Sequence, residues 1–169
     1  TLSVFATAFY SKFDPFSSSI ATTDNNGSIA FVNFVGSIIT PGVEMELSWR
    51  PLDFFTLDGN VTYSDAQLGD FVNAVNQQVL AAEGNQPIRQ PRLYGNIRPA
   101  FEFGLGDFDL TVFGRFNFVG RRFVDLANRT AMPAYQTLAA GISVQRGPLL
   151  FQLVGENLTN SRGITARRR

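Results

Sequence analysis

The chain has 169 residues, 44% hydrophobic and only 17% charged, with 14 basic against 14 acidic side chains. That composition excludes a disordered chain, which would be highly charged and poor in aromatics, and a net charge of zero offers no general attraction for nucleic-acid phosphates. There is no Cys and no His, which removes disulfides, thiolate metal sites, Ser-His triads and the usual zinc-water centres, so no catalytic residue, metal or cofactor is expected.

No stretch reaches the ~18 apolar residues of a spanning helix; the nearest, 28–43, is broken by Asn33, Gly36, Ser37 and Pro41. The start, TLSVFATAFYSKF, lacks the basic region and cleavage site of a signal peptide. What the chain does carry is alternation with period two, the mark of strands whose faces meet different surroundings.

In chain order, strands are predicted over 2–13, 28–50, 54–64, 91–104, 107–119, 134–146 and 149–159. In the second, Val43, Met45, Leu47 and Trp49 alternate with Glu44, Glu46, Ser48 and Arg50. In the third, Phe55, Leu57, Gly59, Val61 and Tyr63 oppose Thr56, Asp58, Asn60 and Thr62. The fourth sets Leu93, Gly95, Ile97, Pro99, Phe101 and Phe103 against Arg92, Tyr94, Asn96, Arg98, Ala100 and Glu102. The fifth sets Phe108, Leu110, Val112, Gly114, Phe116 and Phe118 against Asp109, Thr111, Phe113, Arg115 and Asn117.

A soluble β-sandwich also alternates, but its solvent faces collect many Lys and Glu, and this chain has a single Lys, Lys12. One face is almost purely apolar over segments matching the ~9–11 residues of a transmembrane strand, so the expected fold is all-β, an antiparallel transmembrane β-barrel segment. The joins at Pro51-Leu52-Asp53, Leu105-Gly106 and Gly147-Pro148 are short. They alternate with long connections at 14–27, 65–90 and 120–133, the asymmetry of an outer-membrane barrel with short periplasmic turns and long external loops. Two smaller alternatives stay open: a sandwich, and an eight-stranded barrel with an extra hairpin inside 14–40.

The series GVEMELSWRP (42–51), FFTLDGNVTYSDA (54–66), GRFNFVGRRFVDLAN (114–128), PAYQTLAAGISV (133–144) and FQLVGENLTNSRG (151–163) resembles, in order, the C-terminal barrel region of TonB-dependent receptors. That resemblance implies an outer-membrane transporter of a Gram-negative bacterium. It would take up an iron chelate, cobalamin or oligosaccharide with energy delivered by TonB through a plug domain. Such barrels have about 22 strands; at seven strands in 169 residues a whole one needs roughly 530 residues. The chain is therefore expected to be a part, 1–169 lacking the plug and the last strand. Its expected partners are the lipid bilayer, the remaining strands and plug of the same receptor, TonB, and a small-molecule or chelate ligand, with no nucleic acid.

Within that frame Glu44, Glu46, Arg50, Asp58, Arg98, Glu102, Asp109 and Arg115 are expected to face the lumen or the plug. Amides suit hydrogen bonding to chelates or sugars and Arg suits anions, so Asp70, Asn76, Gln77, Arg89, Arg121 and Arg122 are the outer-loop candidates for ligand contact. Trp49, Phe54, Phe55 and Tyr63 are expected at the membrane interfaces, where aromatic girdles sit. The stretch VNAVNQQVLAAEG (72–84) is expected to form a short helix over the rim.

Overall fold

Alternating sequences of this kind build one continuous antiparallel sheet. The computed structural model describes residues 1–23, 27–73 and 79–163, and no helix occurs among them. Seven long strands carry the wall: β1 (Leu2–Thr23), β2 (Ile29–Leu52), β3 (Phe55–Ser64), β7 (Leu93–Leu105), β8 (Phe108–Val119), β11 (Tyr135–Arg146) and β12 (Leu149–Gly155). Short strands β4 (Gln67–Leu68), β5 (Phe71–Asn73) and β6 (Val79–Leu80) lie between β3 and β7, and β9 (Arg122–Phe123) pairs with β10 (Ala131–Met132) between β8 and β11. The ten-stranded sheet runs β12-β11-β8-β7-β3-β2-β5-β6, with β1 and β4 also on β2. Among the described residues β1 and β12 each have one strand neighbour, so the sheet is open.

Register segregates the faces. Residues directly opposite across an antiparallel pair project to the same side. One row runs Val4, Leu47, Gly59, Ile97, Phe116 and Leu138. The next row, on the other side, runs Phe5, Glu46, Asn60, Asn96, Asn117 and Thr137. In a sandwich the first face would be the core. Here Ile97 is 44% exposed, Phe103 41% and Leu153 73%, and the topology contains no second large sheet to cover them. An uncovered apolar wall on strands long enough to cross hydrocarbon is the outside of a membrane barrel.

Three tight turns, at 53–54, 106–107 and 147–148, lie at one end of the wall. Gly106 and Gly147 stand at positive φ, 65° and 55°, where a Cβ would be strained. At this end the outer face gathers aromatics: Phe54 stacks on Phe103 at 6.0 Å and the Phe55 ring lies tilted against Phe101 at 4.8 Å, on the strand end that also carries Trp49.

Three expectations are corrected. The connection expected at 14–27 is strand as far as Thr23, because after a register shift between Phe13 and Phe16 the serine-rich segment continues to pair with β2, ending at Thr23 opposite Ile29. Nor are the described parts of 72–84 helical: Val72 and Asn73 pair with Val35 and Phe34 of β2, and Val79 and Leu80 pair back onto β5, because the edge of the long β2 offers them a strand partner. The middle of that stretch, 74–78, lies outside the described residues. The last strand also stops at Gly155, short of 159. β2, at 24 residues, overshoots its pairing with β3, which ends at Gly42 opposite Ser64. Its part before Gly42 extends about 40 Å at ~3.3 Å per residue.

Candidate functional site

Two regions concentrate polar chemistry: the inner wall, and the loops at the end opposite the tight turns. On the inner wall β2, β3, β7, β8 and β11 contribute rows of polar residues. Glu44 lies opposite Thr7 and Thr62, Glu46 opposite Phe5 and Asn60, and Asp58 opposite Ser48 and Arg98. Glu102 faces Thr111, and Asp109 faces Gly104 and Gln145. The predicted lumen set, Glu44, Glu46, Asp58, Arg98, Glu102, Asp109 and Arg115, therefore shares one face. Arg50 closes the first tight turn, its Nη2 donating to the Asp53 carbonyl at 2.5 Å.

The structure adds an amide belt across this wall. Asn96 Nδ2 donates to Asn60 Oδ1 at 2.8 Å, and Asn117 Nδ2 donates to Thr137 Oγ1 at 3.2 Å; Asn96 and Asn117 are register partners. Next to it, Arg115 Nη2 pairs with Glu156 Oε1 at 2.9 Å. Sequence patterning showed these amides as the polar side of each strand but not that they align at one height, which only register reveals. Phe5, Phe9 and Phe13 also lie on the inner side, in line with Glu46, Gly42 and Ile38. Both faces of that strand are rich in apolar groups, so its alternation gave no direction.

The two long loops fold into one unit. Ile38, Leu68, Phe71, Ala82 and Leu126 form its buried core, with Phe34 and Ile88 packed against it, and the Phe16 ring meets Phe71 edge-on at 6.1 Å. Gly36 is required there, since a Cβ would collide with the Asp70 carbonyl and the Phe71 ring. Hydrogen bonds cross between the loops. Asn85 Nδ2 donates to the Leu126 carbonyl at 2.8 Å, the Arg89 N–H to the Phe123 carbonyl at 2.8 Å, and the Asn128 side chain bonds both backbone groups of Gln86. The Gln86 N–H donates to Asn128 Oδ1 at 2.8 Å, and Asn128 Nδ2 donates to the Gln86 carbonyl at 2.9 Å. Asp125 accepts from the N–H groups of Arg129 and Thr130 at 3.0 and 2.8 Å, holding the turn that presents Asn128.

The predicted loop candidates are thereby dispersed. Asp70 and Arg89 are exposed, Arg89 at φ 61°. Arg121 is exposed, 5.3 Å over the Phe123 ring, whereas Arg122 is buried at 7% exposure, 5.1 Å over the Tyr135 ring. Asn76 and Gln77 lie outside the described residues. Trp49, Phe54 and Phe55 stand at the tight-turn end, and Tyr63, 49% exposed, on the same outer face toward the loop end. A recess of about 390 Å³ opens beneath the loop unit between Ser11, Phe13, Thr40, Leu68, Ile88 and Leu126, so the unit leans over the inner wall.

Asn128 is the joint of this unit, and at φ 54° it occupies a conformation that Asn and Gly tolerate best. Asn128→Gly keeps the backbone while leaving the Gln86 N–H buried and unpaired, a loss of about 1–3 kcal/mol. Hydrogen exchange at Gln86 in the full-length protein is then expected to accelerate roughly 10- to 100-fold, with the wall strands unchanged.

A family model described as TonB dependent receptor-like, beta-barrel matches residues 1–158. Among solved structures the chain is similar to BauA, the ferric preacinetobactin receptor of Acinetobacter baumannii, with a TM-score of 0.74 and 21% identity over 95% of this chain and 23% of that one. It is also similar to the siderophore receptor PiuA of Acinetobacter baumannii, with a TM-score of 0.63 and 17% identity over 94% of this chain and 22% of that one. A third likeness, to the ferric yersiniabactin uptake receptor FyuA of Yersinia pestis, has a TM-score of 0.60 and 14% identity over 94% of this chain and 30% of that one. The chain thus spans less than a third of the length of each of these structures. No curated protein matches it.

Proposed function

The chain belongs to the TonB-dependent receptor β-barrel family, and from that premise we propose that it forms wall and outer mouth of a receptor that imports a scarce iron chelate with energy delivered by TonB. Barrels of this family lie in the outer membrane of Gram-negative bacteria. The observation that carries the reading is the one-layer sheet whose apolar face no part of the described chain covers, while the opposite face of β2, β3, β7 and β8 carries most of the wall's charged and amide side chains. Such a wall separates lipid from a wet interior.

In this proposal further strands of the same receptor close the barrel, and a plug domain occupies its interior and receives the pull of TonB. The tight turns face the periplasm and the loop unit faces outward. Glu44, Glu46, Asp58, Glu102 and Asp109 face the plug and the permeation route. Asp70, Arg89 and Arg121, exposed on the loop unit, meet the ligand first, and Trp49, Phe54, Phe55 and Tyr63 anchor the two interfaces. The work is binding and passage, with no bond chemistry. An iron chelate is favoured over cobalamin or an oligosaccharide because the similar solved proteins are receptors for siderophores or their ferric complexes.

The test is growth rescue. Deleting the gene is expected to abolish growth on one ferric chelate as sole iron source, with plasmid-borne full-length receptor restoring it only in a TonB-competent strain. Unchanged growth on every ferric chelate, with loss instead of cobalamin or oligosaccharide use, would replace the ligand class. Uptake that persists without TonB would sink the mechanism.

A further inference from the structure

One row of the inner wall has an unusual charge order. Asp58 of β3 is the register partner of Arg98 of β7. Ile97 faces Phe116 and Ala100 faces Phe113, so Arg98 faces Arg115 across β7 and β8. Arg115 in turn pairs with Glu156, just beyond β12. Apart from Ala139 of β11, the register partner of Arg115, the charges along the row run acid, base, base, acid, with the two guanidinium-bearing positions on adjacent strands. Like charges directly opposite on neighbouring strands, with Cβ atoms ~4.5–5.5 Å apart, destabilise a sheet.

The flanking acids do not cancel this evenly. Glu156 holds Arg115, whereas Asp58 and Arg98, although register partners, form no ion pair, and Arg98 has none among the described residues. Both arginines line a recess of about 520 Å³, together with both acids, Asp58 and Glu156, and with Ala100, Phe113 and Gln152. Two neighbouring guanidinium positions therefore open on that recess, one of them without an ion pair among the described residues, beside the apolar groups of Phe113 and Ala100. A planar guanidinium offers parallel donors to two oxygens at once, and two side by side suit a single bidentate oxyanion.

We propose that Arg98 and Arg115 form a carboxylate-binding site on the inner wall, resting on the receptor reading above. The carboxylate comes either from an anionic solute passing through the barrel or from a side chain of the protein segment that fills it. Glu156 acts as a competitor, occupying Arg115 while the site is empty.

The full-length receptor, purified in detergent, tests this with citrate as the probe, by calorimetric titration at low ionic strength. If the site is open to solutes, citrate binds the wild type, Arg98→Gln or Arg115→Gln weakens it at least about tenfold, and Arg98→Lys, which keeps the charge but loses the fork, lies between. Glu156→Gln tightens binding severalfold by freeing Arg115. If a side chain of the interior segment holds the site, citrate does not bind the wild type, and Arg98→Gln instead speeds hydrogen exchange within that segment. The proposal is overturned if Arg98→Gln and Arg115→Gln, folded by heat-modifiable gel mobility, change neither citrate binding nor interior exchange. None of these readings uses transport, so failure of iron-chelate uptake alone would count against the function and leave this site standing.

Discussion

Replacing Ile97 by Arg in the full-length receptor is expected to cost the folded barrel about 2–4 kcal/mol, whereas Asn96→Arg, one residue earlier, costs about 1 kcal/mol or less. Ile97 lies opposite Gly59 and Phe116, at the middle of the stretch that β7 shares with the ten-residue β3. A charge placed there meets hydrocarbon. The neighbouring side chain meets the amide belt, where Asn96 already bonds Asn60 and where a guanidinium keeps its water. A urea titration in lipid vesicles, read by the gel mobility of folded and unfolded forms, measures both. Equal losses at the two positions would mean that the sheet does not separate lipid from water.

The second large effect is local. Phe71 is fully buried in the loop unit, with its ring against Phe16 and its neighbours drawn from β2, the 65–90 loop and Leu126. Phe71→Ala removes the centre of a small core and is expected to cost about 3–5 kcal/mol. That loss falls on the loops, because the wall draws its stability from strand pairing and lipid. Limited proteolysis of intact cells should therefore cut the 65–90 and 120–133 segments much faster in the variant, while the heat-modifiable gel shift of the barrel stays close to wild type. A barrel that fails to fold would show that the loop core nucleates the wall.

The wall was legible because its physics is periodic. Every second residue from Phe55 to Tyr63 and from Leu93 to Phe103 had to satisfy one surrounding, and that regularity is visible in a single strand. The loop unit was not legible because its contacts are aperiodic. Nothing in the run DLANRT announces that Asn128 will meet Gln86, 42 residues away. The serine-rich stretch after Pro15 has the composition of a loop, and its strand character comes from the ready partner that β2 offers. Arg121 and Arg122 look alike in sequence, yet pairing of β9 with β10 sends one outward and buries the other against Tyr135. For the candidate site the sequence supplied the residue types on the inner face, while alignment across strands made neighbours of Arg98 and Arg115.

The base of the 65–90 loop is clasped. The Ser64 N–H donates to the Arg92 carbonyl at 2.8 Å, the Arg92 Nε pairs with Asp65 Oδ1 at 2.9 Å, and the Gly120 N–H donates to the Leu93 carbonyl at 2.8 Å. The loop thus enters and leaves through a gate of fixed width, whatever residues lie between. Such a fastening makes the loop a replaceable cassette. Substitutions within the loop can therefore change the surface that the proposed receptor shows outside without disturbing the register of the strands beneath.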